Sequence, residues 1–339
     1  MFKAGYKFFK SRLNEKAERA FYDQVYDALR AYIPYITFDY HIISANRAKE
    51  IVRYVYEDNP SFFYISPYKI SYRAGNPAVI YFNYLYDRKT SEGHEFQIKK
   101  IIMNFFDQYQ VLKLPKYNRI QIFHNLISSI CTYDPEVSSG GDGVDEDYNI
   151  IGVFKGKMAV CYGFSQVFKL LCDYGGVSCL IATGCCYGMD NGLHAWNMVE
   201  YDGGFYHIDA TWDLSKEKNK GLLGAYTYFM VDDDWMKKSR ELNTYDVFPK
   251  SDGLQYTFFG YNGYTVSSHQ QLSNYIYNRL KEYPKEIIVY IGDHQLNYDI
   301  LNTAYWDAVY QLDIKDKLFK QKARYTIDSK YGIAGIIFE

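Results

Sequence analysis

Apolar residues recur at helical spacing near the amino terminus, and polar or proline residues mark where the predicted helices start and stop. The first helix is capped by Asn14 and ended by Pro34, and its apolar stripe is Val25, Ala28, Leu29 and Tyr32. A strand is predicted over 36–42. Ser44 then caps a second helix, whose apolar stripe is Ala48, Ile51, Val52 and Val55. Two strands are predicted on either side of a turn at Gly75 and Pro77.

The carboxyl-terminal end shows the same order of elements. Ser268 caps a helix that Pro284 ends, and a strand is predicted over 287–291. A further helix over 301–310 and a hairpin formed by 324–327 and 333–338 complete it. The order helix, strand, helix, hairpin at both ends predicts two related small α+β modules.

Between these modules the spacing predicts helices over 98–109 and 120–130, and a third helix that begins at Cys161. Alternation over 194–200, a turn signal at 201–204 and a returning strand over 205–212 then predict an antiparallel hairpin. The predicted fold class is therefore α+β. The predicted domains are an amino-terminal α+β module, a central core and a carboxyl-terminal α+β module, over 1–90, 91–245 and 246–339.

Charge and length exclude several classes of protein. The 339 residues include 38 Lys and Arg against 40 Asp and Glu, for a net charge of -2. No basic excess favours nucleic acid, and no apolar run reaches membrane-spanning length, so we expect neither partner. The first residues have no apolar core of signal-peptide length, which predicts a cytoplasmic protein. The alternative is an exported protein expressed without its leader.

Tyrosine is unusually frequent, with 38 residues. Amphipathic rings suit half-buried sheets, and this structural explanation is favoured. A groove that binds peptides or sugars is the alternative.

All six cysteines lie between Cys131 and Cys186. Without a signal peptide, free thiols are expected, and their spacing matches no zinc motif. The acidic loop over 138–147 resembles a single calcium-binding nonapeptide, which is a weak signal because that site needs stacked repeats. Asp232 to Asp234 is expected to be a solvated surface run. We therefore expect no metal and no cofactor.

Cys161 is the candidate nucleophile. It lies where a loop turns into an amphipathic helix, and the amino end of a helix stabilises a thiolate and an oxyanion. Gly163 removes a side chain from the first turn, which lets a substrate backbone approach. Tyr148 lies in the preceding loop and is expected to reach the site. Taken alone, Cys161 would be better explained as one more buried structural thiol.

His194 is the candidate base, and the hairpin supplies its partner. If the turn leaves two or four residues unpaired, residues opposite one another have numbers that sum to an odd value, so His194 and Asp209 share a face. Asp209 then orients the imidazole. Asp213 has the same parity, so it remains an alternative to Asp209 as the partner of His194. His207 is expected to be a partly exposed strand histidine, and Asn197, on the other face, a structural residue.

Three separated motifs resemble the transglutaminase-like superfamily of papain-fold cysteine enzymes, and the flanks resemble its bacterial members. The resemblance covers roughly 115–240, and its motifs are Cys161-Tyr-Gly163-Phe-Ser165, His194-Ala-Trp196-Asn197 and Tyr206-His-Ile-Asp209-Ala-Thr-Trp212-Asp213. It implies a core in which a helix carrying the cysteine packs on an antiparallel sheet carrying the histidine and aspartate. It also selects Asp209 over Asp213.

The resemblance implies that Cys161 is the nucleophile, His194 the base and Asp209 the third catalytic residue. Gly163, Trp196 and Tyr148 are the expected substrate-binding residues, and the substrate is a protein or peptide. A thiol acyl-transfer enzyme follows, with peptide hydrolysis ahead of glutamine cross-linking or deamidation. The alternatives are a non-catalytic binding or scaffold protein that kept the fold, and an aromatic-groove binding protein.

Overall fold

Helices and strands alternate along the chain, as the apolar spacing predicts. The computed structural model describes residues 2–66, 71–74, 77–130, 132–134, 145–156, 158–188, 192–215, 221–244, 246–292, 296–312 and 322–338. Its α-helices are α1 (Phe8–Arg12), α2 (Lys16–Ala31), α3 (Ala45–Asp58), α4 (Arg88–Gln108), α5 (Lys116–Ile130), α6 (Ile150–Phe154), α7 (Cys161–Gly175), α8 (Ala210–Ser215), α9 (Gly221–Ala225), α10 (Asp233–Lys237), α11 (Phe258–Tyr261), α12 (His269–Leu280) and α13 (Tyr298–Leu312).

The strands are short and pair mostly in antiparallel fashion. They are β1 (Tyr35–Phe38), β2 (Ser71–Arg73), β3 (Ala78–Tyr81), β4 (Thr132–Tyr133), β5 (Met158–Ala159), β6 (Cys179–Cys186), β7 (Leu193–Tyr201), β8 (Gly204–Ile208), β9 (Phe229–Val231), β10 (Arg240–Leu242), β11 (Glu286–Tyr290), β12 (Ala323–Asp328) and β13 (Ile333–Phe338). The mixed α+β fold with an antiparallel sheet is the predicted class, which is confirmed.

Local polar residues determine several element boundaries. Ser44 and Ser268 cap their helices, accepting from the backbone N–H of Arg47 and Gln271 at 3.2 Å each. The predicted cap at Asn14 is wrong, because α2 begins at Lys16 and Glu15 precedes it without a side-chain cap. The strand predicted over 36–42 ends at Phe38, where the chain enters a turn.

The chain divides into two units. The first contains Met1–Phe205 and Glu241–Pro249, and the second contains Tyr206–Arg240 and Lys250–Glu339. These units are groups of residues that contact one another in space. They do not test the three domains predicted from the sequence, which stay a prediction. No helix among the described residues is long and apolar enough to cross a lipid bilayer.

The amino-terminal module lies in the first unit. Its elements run α2, β1, α3, β2, β3, and its strands lie in the antiparallel order β1-β3-β2. The buried faces of α2 and α3 pack together, as their apolar stripes predict. The described strands β2 and β3 therefore confirm the predicted hairpin, although its turn at Gly75 lies outside the described residues.

The carboxyl-terminal module lies in the second unit. Its elements run α12, β11, α13, β12, β13, and its strands lie in the antiparallel order β11-β13-β12. Leu272 and Ile276 of α12, with Leu301 of α13, are fully buried in its core. Element order and strand order are thus the same in both modules, as the sequence predicts for the elements. A common origin of the modules stays a prediction.

The sheet of the first unit positions the candidate cysteine and histidine. Strand β6 lies between β10 and β7, and it pairs with β7 in antiparallel register from Cys179 opposite Val199 to Cys185 opposite Leu193. Helix α7 packs against β6 and β7. The helix that carries Cys161 therefore lies directly on the strand pair that includes His194.

Candidate active site

Cys161 is the first residue of α7. Val160 precedes it in extended conformation, so the chain turns sharply into the helix there. The thiol is partly exposed, whereas Cys172, Cys179 and Cys186 are buried. The amino end of a helix carries partial positive charge and stabilises an anionic sulfur. This position therefore suits a reactive thiol, as the sequence predicts.

The turn over 145–149 packs against the first turn of α7. The backbone N–H of Val160 donates to the carbonyl of Asp147 at 3.0 Å. A Cβ atom on Gly163 would lie 3.1 Å from the carbonyl oxygens of both Asp147 and Asn149. The missing side chain of Gly163 thus admits the protein's own backbone, and its predicted contact with substrate stays a prediction.

Tyr148 lies in this turn, between two anchored residues. Burial raises the pKa of its phenol, and the neighbouring charges of Asp147, Cys161 and Asp134 raise it further. The predicted contact of Tyr148 with substrate stays a prediction.

The acidic loop is described only at its carboxyl-terminal end. Residues 135–144, with Asp142, lie outside the described residues, whereas Glu146 and Asp147 lie within them. Glu146 accepts a hydrogen bond from Tyr86 at 2.5 Å and one from Lys155 at 2.7 Å. Across the described residues, no group of three or more His, Cys, Asp or Glu side chains has a metal-binding arrangement.

His194 lies near the start of β7, opposite Gly184 of β6. Its imidazole stacks on the indole of Trp196, with ring centroids 5.8 Å apart and planes inclined by 22°. The two side chains are 7% and 1% exposed. The burial of Trp196 favours orientation of the imidazole over contact with substrate, and its predicted substrate contact stays a prediction.

Asn197 links the histidine strand to the cysteine helix. Its amide donates to the carbonyl of Ser165 at 3.0 Å, and the Ser165 hydroxyl donates to the carbonyl of Cys161 at 2.9 Å. Asn197 is buried, so this link is shielded from water. The structural role predicted for Asn197 is confirmed.

Asp209 lies in the second unit, directly after β8 ends. The returning strand was expected to continue to residue 212, but α8 begins at Ala210. The carboxylate of Asp209 causes this change, because it accepts from the backbone N–H of Trp212 at 3.0 Å, as a helix cap does. Asp209 is 1% exposed.

The second partner of Asp209 is Arg240, which the sequence reasoning missed. Arg240 is fully buried and donates from Nη1 to the other carboxylate oxygen. Its guanidinium lies 4.1 Å from the ring centroid of Trp212 and 4.5 Å from that of Tyr228. A separation of 31 residues leaves no local sequence signal for this pair.

Asp213 has a different environment from Asp209. Its two carboxylate oxygens accept from the backbone N–H of Tyr228, at 3.0 and 3.3 Å. Those contacts connect α8 to the chain that enters β9. Asp213 therefore has a clear structural role.

The expectation that His207 is partly exposed is wrong. The side chain is fully buried, and its Nε2 lies 2.8 Å from a carboxylate oxygen of Asp233. Burial lowers the pKa of His207, although Asp233 opposes that shift. The expectation of a solvated run at 232–234 holds for Asp234, which is exposed, but is wrong for Asp232, which is buried and caps α10.

The predicted site residues thus divide between the units. The first unit contains Tyr148, Cys161, Gly163, His194 and Trp196, whereas the second contains Asp209. Their catalytic and substrate-binding roles stay predictions.

Comparison with known proteins gives limited similarity. No protein-family model and no curated protein matches the chain. A crystal structure described as a TGase is 18% identical, with a TM-score of 0.31, over 44% of this chain and 45% of that chain. A protein provisionally described as a cysteine protease from Cytophaga hutchinsonii is 17% identical, with a TM-score of 0.27, over 33% of this chain and 37% of that chain. The chain therefore spans less than half the length of either structure.

Proposed function

We propose that this protein is a thiol-dependent acyl-transfer enzyme that acts on peptide or glutamine amide bonds through a thioester on Cys161. The observation that carries the proposal is the position of Cys161, partly exposed at the first residue of a helix that packs on the strand carrying His194. In the proposed roles His194 is the general base and Asp209 orients its imidazole.

The proposed reaction has two steps. The thiolate of Cys161 attacks the carbonyl carbon, the C–N bond breaks, and the imidazolium of His194 gives its proton to the leaving amine. In the second step an acceptor attacks the thioester, its proton passes to His194, and the C–S bond breaks to release the thiolate, which restores the thiolate–imidazolium pair. The amino end of α7 is suited to stabilising the oxyanion formed in each step.

The acceptor decides the activity. Water gives hydrolysis of a peptide bond, or deamidation when the substrate is a glutamine side chain. A lysine amine gives a cross-link. We place peptide hydrolysis first, with a protein or peptide as the substrate.

Thiol reactivity tests whether a catalytic centre exists. Iodoacetamide near neutral pH should label Cys161 faster than Cys185, an exposed cysteine that serves as an internal reference. The label on Cys161 should disappear in Cys161→Ala and form more slowly in His194→Ala. Equal, slow labelling of the two thiols would favour a non-catalytic scaffold.

A peptide library then separates the activities. The products are scored by mass for cleavage, for conversion of glutamine to glutamate and for incorporation of an added amine. Each product should be absent with Cys161→Ala. Amine incorporation without cleavage would replace the peptidase assignment by that of a transglutaminase.

A further inference from the structure

Arg240 is an unusual residue because a guanidinium is costly to bury without a partner. It is 0% exposed, and it pairs with Asp209, which is equally shielded at its side chain. Its Nε donates to the Ser239 hydroxyl at 3.2 Å. The rings of Trp212 and Tyr228 lie within 4.5 Å of the guanidinium. Arg240 is therefore held by an ion pair, a hydrogen bond and two aromatic contacts.

The two oxygens of Asp209 have different fixed donors. Oδ1 accepts from the backbone N–H of Trp212 at 3.0 Å, and Oδ2 accepts from Arg240. Donors on both oxygens restrict rotation of the carboxylate. Each carboxylate oxygen has two lone pairs, so the group can also accept from an imidazole. A carboxylate oriented in this way suits the third position of a catalytic triad.

The pair with Arg240 supplies a full positive charge to Asp209, which favours the ionised carboxylate.

We infer that Arg240 is a positioning residue for the reaction proposed above: it keeps Asp209 ionised and holds its carboxylate in the orientation that His194 requires. The inference rests on the proposed function. Arg240 touches neither substrate nor nucleophile in this role and acts through Asp209. Because its charge partly offsets that of Asp209, it also moderates how strongly the carboxylate stabilises the imidazolium.

Other charged and titratable groups respond to Arg240, so the test must account for them. Its charge opposes protonation of His207, which Asp233 favours, and it lowers the pKa of Tyr228 and Tyr331 against the effect of their burial. These groups lie in the second unit, as Asp209 and Arg240 do.

The test is a double-mutant cycle read by the rate of Cys161 alkylation between pH 5 and pH 9, a range of about two units on either side of neutrality. The variants are Arg240→Lys, Asp209→Asn and their combination. Arg240→Lys keeps the positive charge but loses the planar guanidinium and its fixed N–H donors. It should therefore slow the alkylation of Cys161 at neutral pH by roughly ten- to a hundredfold. In the Asp209→Asn background the same change should have little further effect, because the two residues act as a unit.

A control separates function from stability. Arg53→Lys alters another arginine that is paired with carboxylates, and it should leave the pH profile of alkylation unchanged. If Arg240→Lys does not fold, the combination of Asp209→Asn and Arg240→Gln replaces the ion pair by two amides and is compared with Asp209→Asn alone. Equal alkylation rates in those two variants are expected.

Two outcomes would overturn the inference. Either Arg240→Lys alkylates like the wild-type protein while Asp209→Asn is slowed, or the two effects multiply in the combined variant. Failure of the proposed function looks different, because Cys161 of the wild-type protein would then react no faster than Cys185.

Discussion

Lys169 is fully buried in the helix that carries Cys161, and its replacement by methionine should strongly destabilise the first unit. The ammonium donates to the carbonyl of Tyr6 at 2.9 Å, to that of Cys179 at 3.2 Å and to the carboxylate of Asp173 at 3.2 Å. These contacts satisfy all three of its donors. Methionine keeps most of the apolar stem but leaves Asp173 buried without this cation.

The magnitude follows from the burial of both partners. Lys169 and Asp173 have side chains that are 0% and 3% exposed, so water cannot replace the lost contact. Removing one partner of a buried ion pair costs about 3–5 kcal/mol, against a total stability of about 5–15 kcal/mol. Lys169→Met should therefore lower the urea midpoint clearly, measured by circular dichroism.

The stability lost in Lys169→Met should depend on pH. Burial raises the pKa of Asp173, and Lys169 holds it down. Without Lys169 that pKa rises further, so the folded state binds a proton that the unfolded state has released. The deficit relative to wild type should therefore shrink as the pH falls and the carboxyl becomes neutral.

Two comparisons make this prediction refutable. Adding Asp173→Asn to Lys169→Met should recover part of the stability, because the buried carboxylate that pairs with Lys169 is then replaced by a neutral amide. Lys237→Met, which removes a solvent-exposed pair with Asp234, should have no measurable effect. If Lys169→Met matched wild type, or if the double variant were no better than the single one, the argument from buried charge would be wrong.

Three further predictions concern other positions. Burial raises the pKa of Glu57 from 4.5 to about 7, so wild-type stability should fall as pH rises through that window, and urea titrations of Glu57→Gln should show a flatter profile. Burial and the charge of Lys169 lower the pKa of Lys7 to about 8, so competitive acetylation across pH should give Lys7 a midpoint near that value rather than near 10.5. Gly93→Ala should stabilise α4 by up to ~1 kcal/mol, because the added Cβ atom would have no atom within 4 Å beyond its own stretch of helix. Gly163→Ala should give no gain in thermal unfolding, because the added Cβ atom would lie 3.1 Å from two carbonyl oxygens.

Helix boundaries that depend on residues nearby in the chain could be predicted well from the sequence. Ser44 and Ser268 cap helices through a backbone group three residues on, so the signal and its effect lie within one turn. The start of a helix at Cys161 likewise follows from nearby apolar spacing.

Features that depend on distant residues could not be predicted. His207 is buried because Asp233, 26 residues later, supplies its polar partner. Arg240 reaches Asp209 across 31 residues, and nothing in its own segment marks it. The helix after Asp209 was missed although its cap is local. Apolar and polar residues alternate through the segment as they do in a strand, but the Asp209 carboxylate accepts from the backbone N–H of Trp212 and a helix begins there.

The return of 241–249 to the first unit has a practical consequence for anyone producing fragments of this protein. A fragment that stops at Phe205 lacks β10, the strand that lies beside β6. The uncovered edge of β6 would present unpaired backbone groups, which promote aggregation. Co-expression of 241–249 as a separate peptide should improve the solubility of such a fragment.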